Sequence, residues 1–174
     1  MIAEFEECRL KGTAAAPPSK SAAHRLLIAA YLSGKECEID NVAMSEDIKA
    51  TLGCLEALGS EILISGKKVN IQKTLPKSDI LNCNESGSTL RFLIPIALTE
   101  GRNIIFKGSK KLFERPLSVY EEIAKKEGFL FEKEEGLLRV KGNLKSGEYI
   151  IRGDISSQFI TGMIFALSTL KGDS

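Results

Sequence analysis

The chain has 174 residues, 43% of them hydrophobic, enough to bury the core of one domain. Its 24 Lys and Arg are balanced by 23 Asp and Glu, and the net charge of +1 argues against a nucleic-acid binder that relies on bulk electrostatics. Trp is absent and aromatics make up 6%, which disfavours base-stacking platforms, and no stretch is apolar for long enough to span a membrane.

A first strand is expected over Lys11 to Ala16. Pro17-Pro18-Ser19 then stops the loop and caps a helix that runs through the apolar segment Leu26 to Leu32 and closes at Gly34. Lys20 and Arg25 sit in or beside its first turn. This is the wrong end for positive charge, because the macrodipole and the unpaired N–H groups there already attract anions. With the hydroxyls of Ser19 and Ser21, the two cations suit a bound phosphate or carboxylate; a solvated cap with two surface cations is the alternative for any single instance. His24 reads as a partly exposed polar residue. A strand over Glu36 to Asp40 follows, then an amphipathic helix from Asp47 to Leu58 ended by Gly59. Two strand-like runs, Glu61 to Ile64 and Lys68 to Gln72, flank the turn Ser65-Gly66.

The order then repeats. A strand over Asp79 to Cys83 leads to Glu85-Ser86-Gly87-Ser88-Thr89-Leu90-Arg91, again hydroxyls and a cation before an apolar helix, here closing at Gly101. Arg91 lies 66 residues after Arg25. Pro95 falls inside this helix and is expected to kink it or delay its start. Gly87 would let the backbone approach an anion, or is a turn glycine. A strand over Asn103 to Lys107 comes next, then a helix from Pro116 to Glu127 stopped by Gly128, and strands over Phe129 to Lys133 and Leu137 to Lys141. Pro116 suits the first helical position, which puts Arg115 at the cap; pairing with Glu114 is the alternative role for Arg115. A third copy opens with a strand over Tyr149 to Arg152 and the segment Asp154-Ile155-Ser156-Ser157-Gln158-Phe159, with Gln158 67 residues after Arg91. Its helix is expected over Ser157 to Leu170.

The fold class is therefore α/β (α+β in some schemes), built from repeated βαβαββ units: unit one 13–78, unit two 79–148 and the start of unit three 149–174. About forty residues of the third unit are missing by comparison with the first two, so a fragment is expected. Packing about a pseudo-threefold axis would bring the helix starts together as a site for a small polyanion. No nucleophile–base pair or carboxylate pair is evident. Cys8, Cys37, Cys54 and Cys83 form no metal-ligand pattern with His24, so no metal is expected; they read as reduced core residues, a catalytic thiol being the alternative. Met1 is followed by acidic residues rather than a signal peptide, and the expected setting is the cytoplasm.

Taken together and in order, Pro18 to Arg25, Glu85 to Arg91, Glu114-Arg115-Pro116 and Asp154 to Phe159 resemble the 5-enolpyruvylshikimate-3-phosphate synthase family. The resemblance implies an inside-out α/β barrel of two domains, each of three such units. It also implies transfer of the enolpyruvyl group from phosphoenolpyruvate to the 5-hydroxyl of shikimate 3-phosphate in aromatic amino acid biosynthesis. The reaction runs by addition and elimination through a tetrahedral intermediate, with release of phosphate and no cofactor. Carried over residue by residue, Lys20, Ser21, Arg25, Ser156, Ser157 and Gln158 would hold shikimate 3-phosphate, and Lys20, Gly87, Arg115 and Gln158 phosphoenolpyruvate. The acid/base residues would lie beyond Ser174, and residues 1–12, Phe5 among them, would pack with the missing C-terminal domain. Partners other than the two substrates and that domain are not expected: no nucleic acid, no membrane, and a monomeric full-length enzyme. The chain alone should be inactive but bind shikimate 3-phosphate weakly. Glu85 stands where a familiar form of the family has Asn, and Phe92 where it has Pro, which bears on response to the inhibitor glyphosate. The sister family that acts on UDP-N-acetylglucosamine has Lys-Asn at the first motif and a reactive Cys. Here Ser21 follows Lys20 and no Cys follows Cys83. A non-catalytic phosphometabolite-binding module is the alternative of another class.

Overall fold

Ser19 opens the first helix, α1 (Lys20–Ser33), by accepting from the Ala22 N–H at 3.2 Å, and Gly34 closes it at φ 68°. Residues 11–174 are described by a computed structural model; the segment 1–12, with Phe5 and Cys8, falls almost wholly outside the described residues. After α1 come β1 (Cys37–Ile39), α2 (Glu46–Gly59), β2 (Ser60–Ser65) and β3 (Lys68–Lys73). Unit two supplies β4 (Ile80–Asn82), α3 (Gly87–Thr99), β5 (Ile104–Lys107), a short α4 (Lys110–Glu114), α5 (Ser118–Glu127), β6 (Leu130–Glu134) and β7 (Leu137–Lys141). The last helix is α6 (Ser157–Leu167).

The two sheets carry the repeat. Unit one orders its strands β1-β3-β2, all antiparallel, and unit two β4-β5-β7-β6, with β4 and β5 parallel. In both, the strand after the first helix pairs with the last strand of the unit, Ile39 against Val69 in one and Ile104 against Val140 in the other. These side chains point inward with Ile71, Phe106 and Leu138 to form the core with the helices. Alternation along short strands buries one face and leaves the other wet.

Several expectations are corrected. The strands expected over Lys11 to Ala16 and Tyr149 to Arg152 do not form. The first is Gly- and Ala-rich, with little β propensity, and the second pairs with no strand of the described residues. Gly59 is the last residue of α2 rather than the one after it, at φ 104°, and the chain enters β2 at once. The helix of unit two stops at Thr99, short of Gly101, and α6 stops at Leu167, short of Leu170. Pro95 neither delays nor ends α3, which runs from Gly87 through it. Arg115 does not cap α5, whose N-cap is Leu117; it closes α4, because the residue before a proline is pushed out of helical backbone, here to φ −69° and ψ 146°.

Of the helices α1, α3 and α6, α3 and α6 pack closely, and α1 reaches both through side chains. The Arg25 guanidinium lies over the Phe92 ring at 5.1 Å, and Arg91 lies over Phe159 at 5.1 Å, so each cation rests on the ring of the next unit. Arg25 also reaches Thr161 of α6, at 3.4 Å.

Candidate active site

The first cluster is built on the start of α1. Lys20 Nζ pairs with Asp47 Oδ2 at 2.6 Å, and both side chains remain in part exposed. Arg25 donates to the Ser21 carbonyl at 3.0 Å and is held against Phe92, so its guanidinium is fixed in place on one side and open on the other. Ser21 is exposed. Across from α1, the Ser156 hydroxyl accepts from the Gln158 N–H at 3.2 Å and caps α6, leaving Ser157 exposed. Asp47 is a neighbour of the cluster that the sequence does not announce. An acid in the first turn of a helix reads as a dipole complement, and nothing local says that it reaches Lys20.

The second cluster joins α3, α4 and α6. Gln158 sits at its centre: Nε2 donates to Ser88 Oγ at 2.8 Å and Oε1 accepts from Arg91 Nη1 at 2.8 Å. Arg115 lies directly on Gly87. A Cβ at Gly87 would stand 2.7 Å from Arg115 Nη1, so only glycine admits the guanidinium at this closeness. Arg91 is half-buried, and burial followed by the charge of Arg115 lowers its pKa from the ordinary value. Two cations held beside each other and beside the N-terminus of α3 make this a place that favours an anion. Arg91, which the repeat spacing marked as the cation of this helix start but which received no substrate role, lies inside this cluster.

Beneath both clusters runs a buried polar chain. His24 Nδ1 meets Thr51 Oγ1 at 2.7 Å, Thr51 meets Thr89 Oγ1 at 2.7 Å, and Thr89 meets Ser86 Oγ at 2.6 Å. Ser86 caps α3 by accepting from the Thr89 N–H at 3.3 Å. The Asp47 carbonyl accepts from Thr51 at 3.2 Å, so the helix turn that holds Lys20 and the loop that holds Gly87 share one support. His24 is therefore not partly exposed but buried, edge-on to Phe92, with Nε2 unpartnered. Burial drives its pKa down to about 4, opposed by the Asp47 carboxylate and aided by the Lys20 and Arg25 charges. The ring is neutral at physiological pH.

Cys37, Cys54 and Cys83 are free thiols, the last two buried. Burial pushes the Cys83 thiol well above its ordinary range, the neighbouring Cys54 adding to it, which removes Cys83 as a nucleophile. Among the described residues, no group of three His, Cys, Asp or Glu side chains is placed to hold a metal ion, and no helix is long and apolar enough to cross a membrane.

A family model described as EPSP synthase (3-phosphoshikimate 1-carboxyvinyltransferase) matches residues 6–174. The chain belongs to this family. It is 47% identical over 171 residues to a 3-phosphoshikimate 1-carboxyvinyltransferase of Clostridium kluyveri, a match that covers 95% of the chain and 40% of the relative. A protein of the same description from Clostridium acetobutylicum is 45% identical over 180 residues, covering 98% of the chain and 42% of that protein. An EPSP synthase structure from Acinetobacter baumannii superposes with a TM-score of 0.73 at 21% identity, over 86% of this chain and 36% of that one; the likeness shows the fold. The chain thus spans about 40% of the length of the family members it matches.

Proposed function

We propose that these two clusters are the halves of a site for shikimate 3-phosphate and phosphoenolpyruvate, and that the protein transfers the enolpyruvyl group between them. Lys20, Ser21, Arg25, Ser156 and Ser157 hold shikimate 3-phosphate, with the two serines at its phosphate. Arg115 and the Gly87 backbone hold phosphoenolpyruvate, Lys20 stands between the two, and Gln158 lies at the shared centre.

The observation that carries this reading is Gln158. From the start of α6 it joins Ser88 and Arg91 of α3 while the next turn, at Thr161, meets Arg25 of α1. The starts of α1 and α3, with Arg25 and Arg91, are thus joined through α6, which supports a site for two phosphorylated carboxylates. Cations set in place before the ligand arrives stabilise charge that builds on a departing phosphate without reorganising, and the seat of Arg115 on Gly87 supports that role for Arg115. Lys20 is held ready by Asp47, from which a substrate phosphate can draw it. No described residue of the clusters is a paired carboxylate suited to moving the protons of the addition and elimination steps, and those groups belong to the further length of the relatives.

Isothermal titration of the 174-residue chain tests the reading. Shikimate 3-phosphate should bind with a dissociation constant of about a millimolar or tighter, about −4 kcal/mol. Arg25→Ala and Ser157→Ala should each weaken it, and UDP-N-acetylglucosamine should not bind. Absence of binding, or preference for the UDP-sugar, overturns the reading. Phosphate release above a no-protein control would show that the proton-transfer groups lie within the chain.

A further inference from the structure

Pro95 has no N–H, so the Arg91 carbonyl, four residues back in α3, loses its helical partner. α6 crosses α3 at this gap with Gly162. A Cβ at Gly162 would stand 2.6 Å from the Arg91 carbonyl oxygen, 3.1 Å from Pro95 Cγ and 2.5 Å from the Tyr120 hydroxyl oxygen. That hydroxyl comes in from α5 and fills the place. It donates to the Arg91 carbonyl at 2.7 Å, and the same proton is shared at longer range with the Phe159 carbonyl at 3.2 Å. The ring is fully buried, edge-on to Phe159 with centroids 5.0 Å apart.

The two carbonyls belong to Arg91 and to the residue after Gln158. We propose that Tyr120 is a positioning residue: through these main-chain contacts it sets the spacing of α3 and α6 so that Arg91 and Gln158 meet the ligand as one unit. The Tyr120 hydroxyl does not itself touch the ligand. The inference rests on the reading that Gln158 faces the substrates. It has an internal parallel, because α2, the counterpart of α5 in unit one, places the Thr51 hydroxyl between α1 and α3, there against the side chains of His24 and Thr89. Burial raises the Tyr120 pKa far above its ordinary value, so the hydroxyl stays a donor.

The test uses the 15N-labelled chain and the variants Tyr120→Phe, Arg25→Ala and the pair Pro95→Ala with Tyr120→Phe. Without ligand, Tyr120→Phe should move the Gln158 side-chain amide resonances, which report the bonds to Ser88 and Arg91. It should also weaken shikimate 3-phosphate about five- to tenfold, the worth of one hydrogen bond. A Gln158 amide left at its parent position overturns the proposal whether or not ligand binds. Loss of affinity in Arg25→Ala with none in Tyr120→Phe also overturns it, whereas no loss in Arg25→Ala overturns the substrate reading instead and leaves the amide resonances to decide. The double variant returns an N–H to the Arg91 carbonyl, so it guards against unfolding. It should keep the shifted amide and the weak binding; return of both to parent values would show that the carbonyl needed only a partner, and would sink the positioning role.

Discussion

Thr51→Val keeps the shape of a fully buried side chain and deletes the hydroxyl at the crossing of α1, α2 and α3. Thr89 keeps its contact with Ser86 at 2.6 Å and the Asp47 carbonyl keeps a long one from Thr89 at 3.5 Å. His24 keeps nothing: its Nε2 has no partner and Nδ1 loses the only one it has. A buried polar group stripped of its last partner costs about 1–3 kcal/mol, and with the lost Thr51–Thr89 contact we expect about 2–3 kcal/mol. That corresponds to a melting point lower by about 4–10 °C for a chain of this size. Urea unfolding followed by circular dichroism should show a lower midpoint at unchanged slope. Thr51→Ser should stay within about 1 kcal/mol of the parent. His24→Leu combined with Thr51→Val should cost clearly less than the sum of the two, since the pair fails as a unit. A Thr51→Val chain within about 0.5 kcal/mol of the parent would refute the buried chain as a support.

Gly59→Ala should destabilise by about 3 kcal/mol or more, because a Cβ there would meet the Leu75 carbonyl carbon at 2.6 Å and Pro76 N at 2.7 Å in backbone at φ 104°; an unchanged melting temperature refutes it. His24, held down to about 4 in the fold, takes up its proton first in the unfolded chain. Its contribution is thus fully present above pH about 6.5 and is lost as pH falls towards 4, by up to about 3 kcal/mol. His24→Asn should flatten that stretch of the stability profile, and parallel profiles for parent and variant speak against it. Gly87→Ala should leave the fold intact, because the group it meets is the far end of the Arg115 side chain, but should weaken phosphoenolpyruvate measured in the presence of shikimate 3-phosphate about tenfold; equal affinity rejects the placement of Gly87 and Arg115.

The helices were legible because their ends are written in local residues: Ser19, Ser86 and Ser156 each cap as a hydroxyl before an apolar run should. The hairpins were legible for the same reason, from glycines in the turns. The opening strands misled because a strand is stable only beside a partner, and the residues of Lys11 to Ala16 offer little of their own. α4 escaped notice because five residues with two lysines have no period to read. Arg115 was assigned to the wrong helix because Pro116 serves equally to start one helix or to end the one before. His24 was misjudged because its burial is decided by Thr51 and Phe92, which are remote in sequence. The matching positions of Arg25, Arg91 and Gln158 were legible from the repeat, whereas the Lys20–Asp47 pair and the seat of Arg115 on Gly87 are tertiary facts.

The stacking of Arg25 on Phe92 and of Arg91 on Phe159 means that the halves of each contact come from different copies of the repeat. Unit two holds both a cation, Arg91, and, one residue later, a platform, Phe92, yet each is used against a different neighbour; the contact exists only at a seam. Two seams of the triangle follow this rule. At the third the cation position holds Gln158 and the platform position holds Leu26, 53% exposed, so the rule is broken at that seam. A trio of identical seams would offer the same pocket three times over. One unlike seam is enough to make the surroundings of the helix starts unequal.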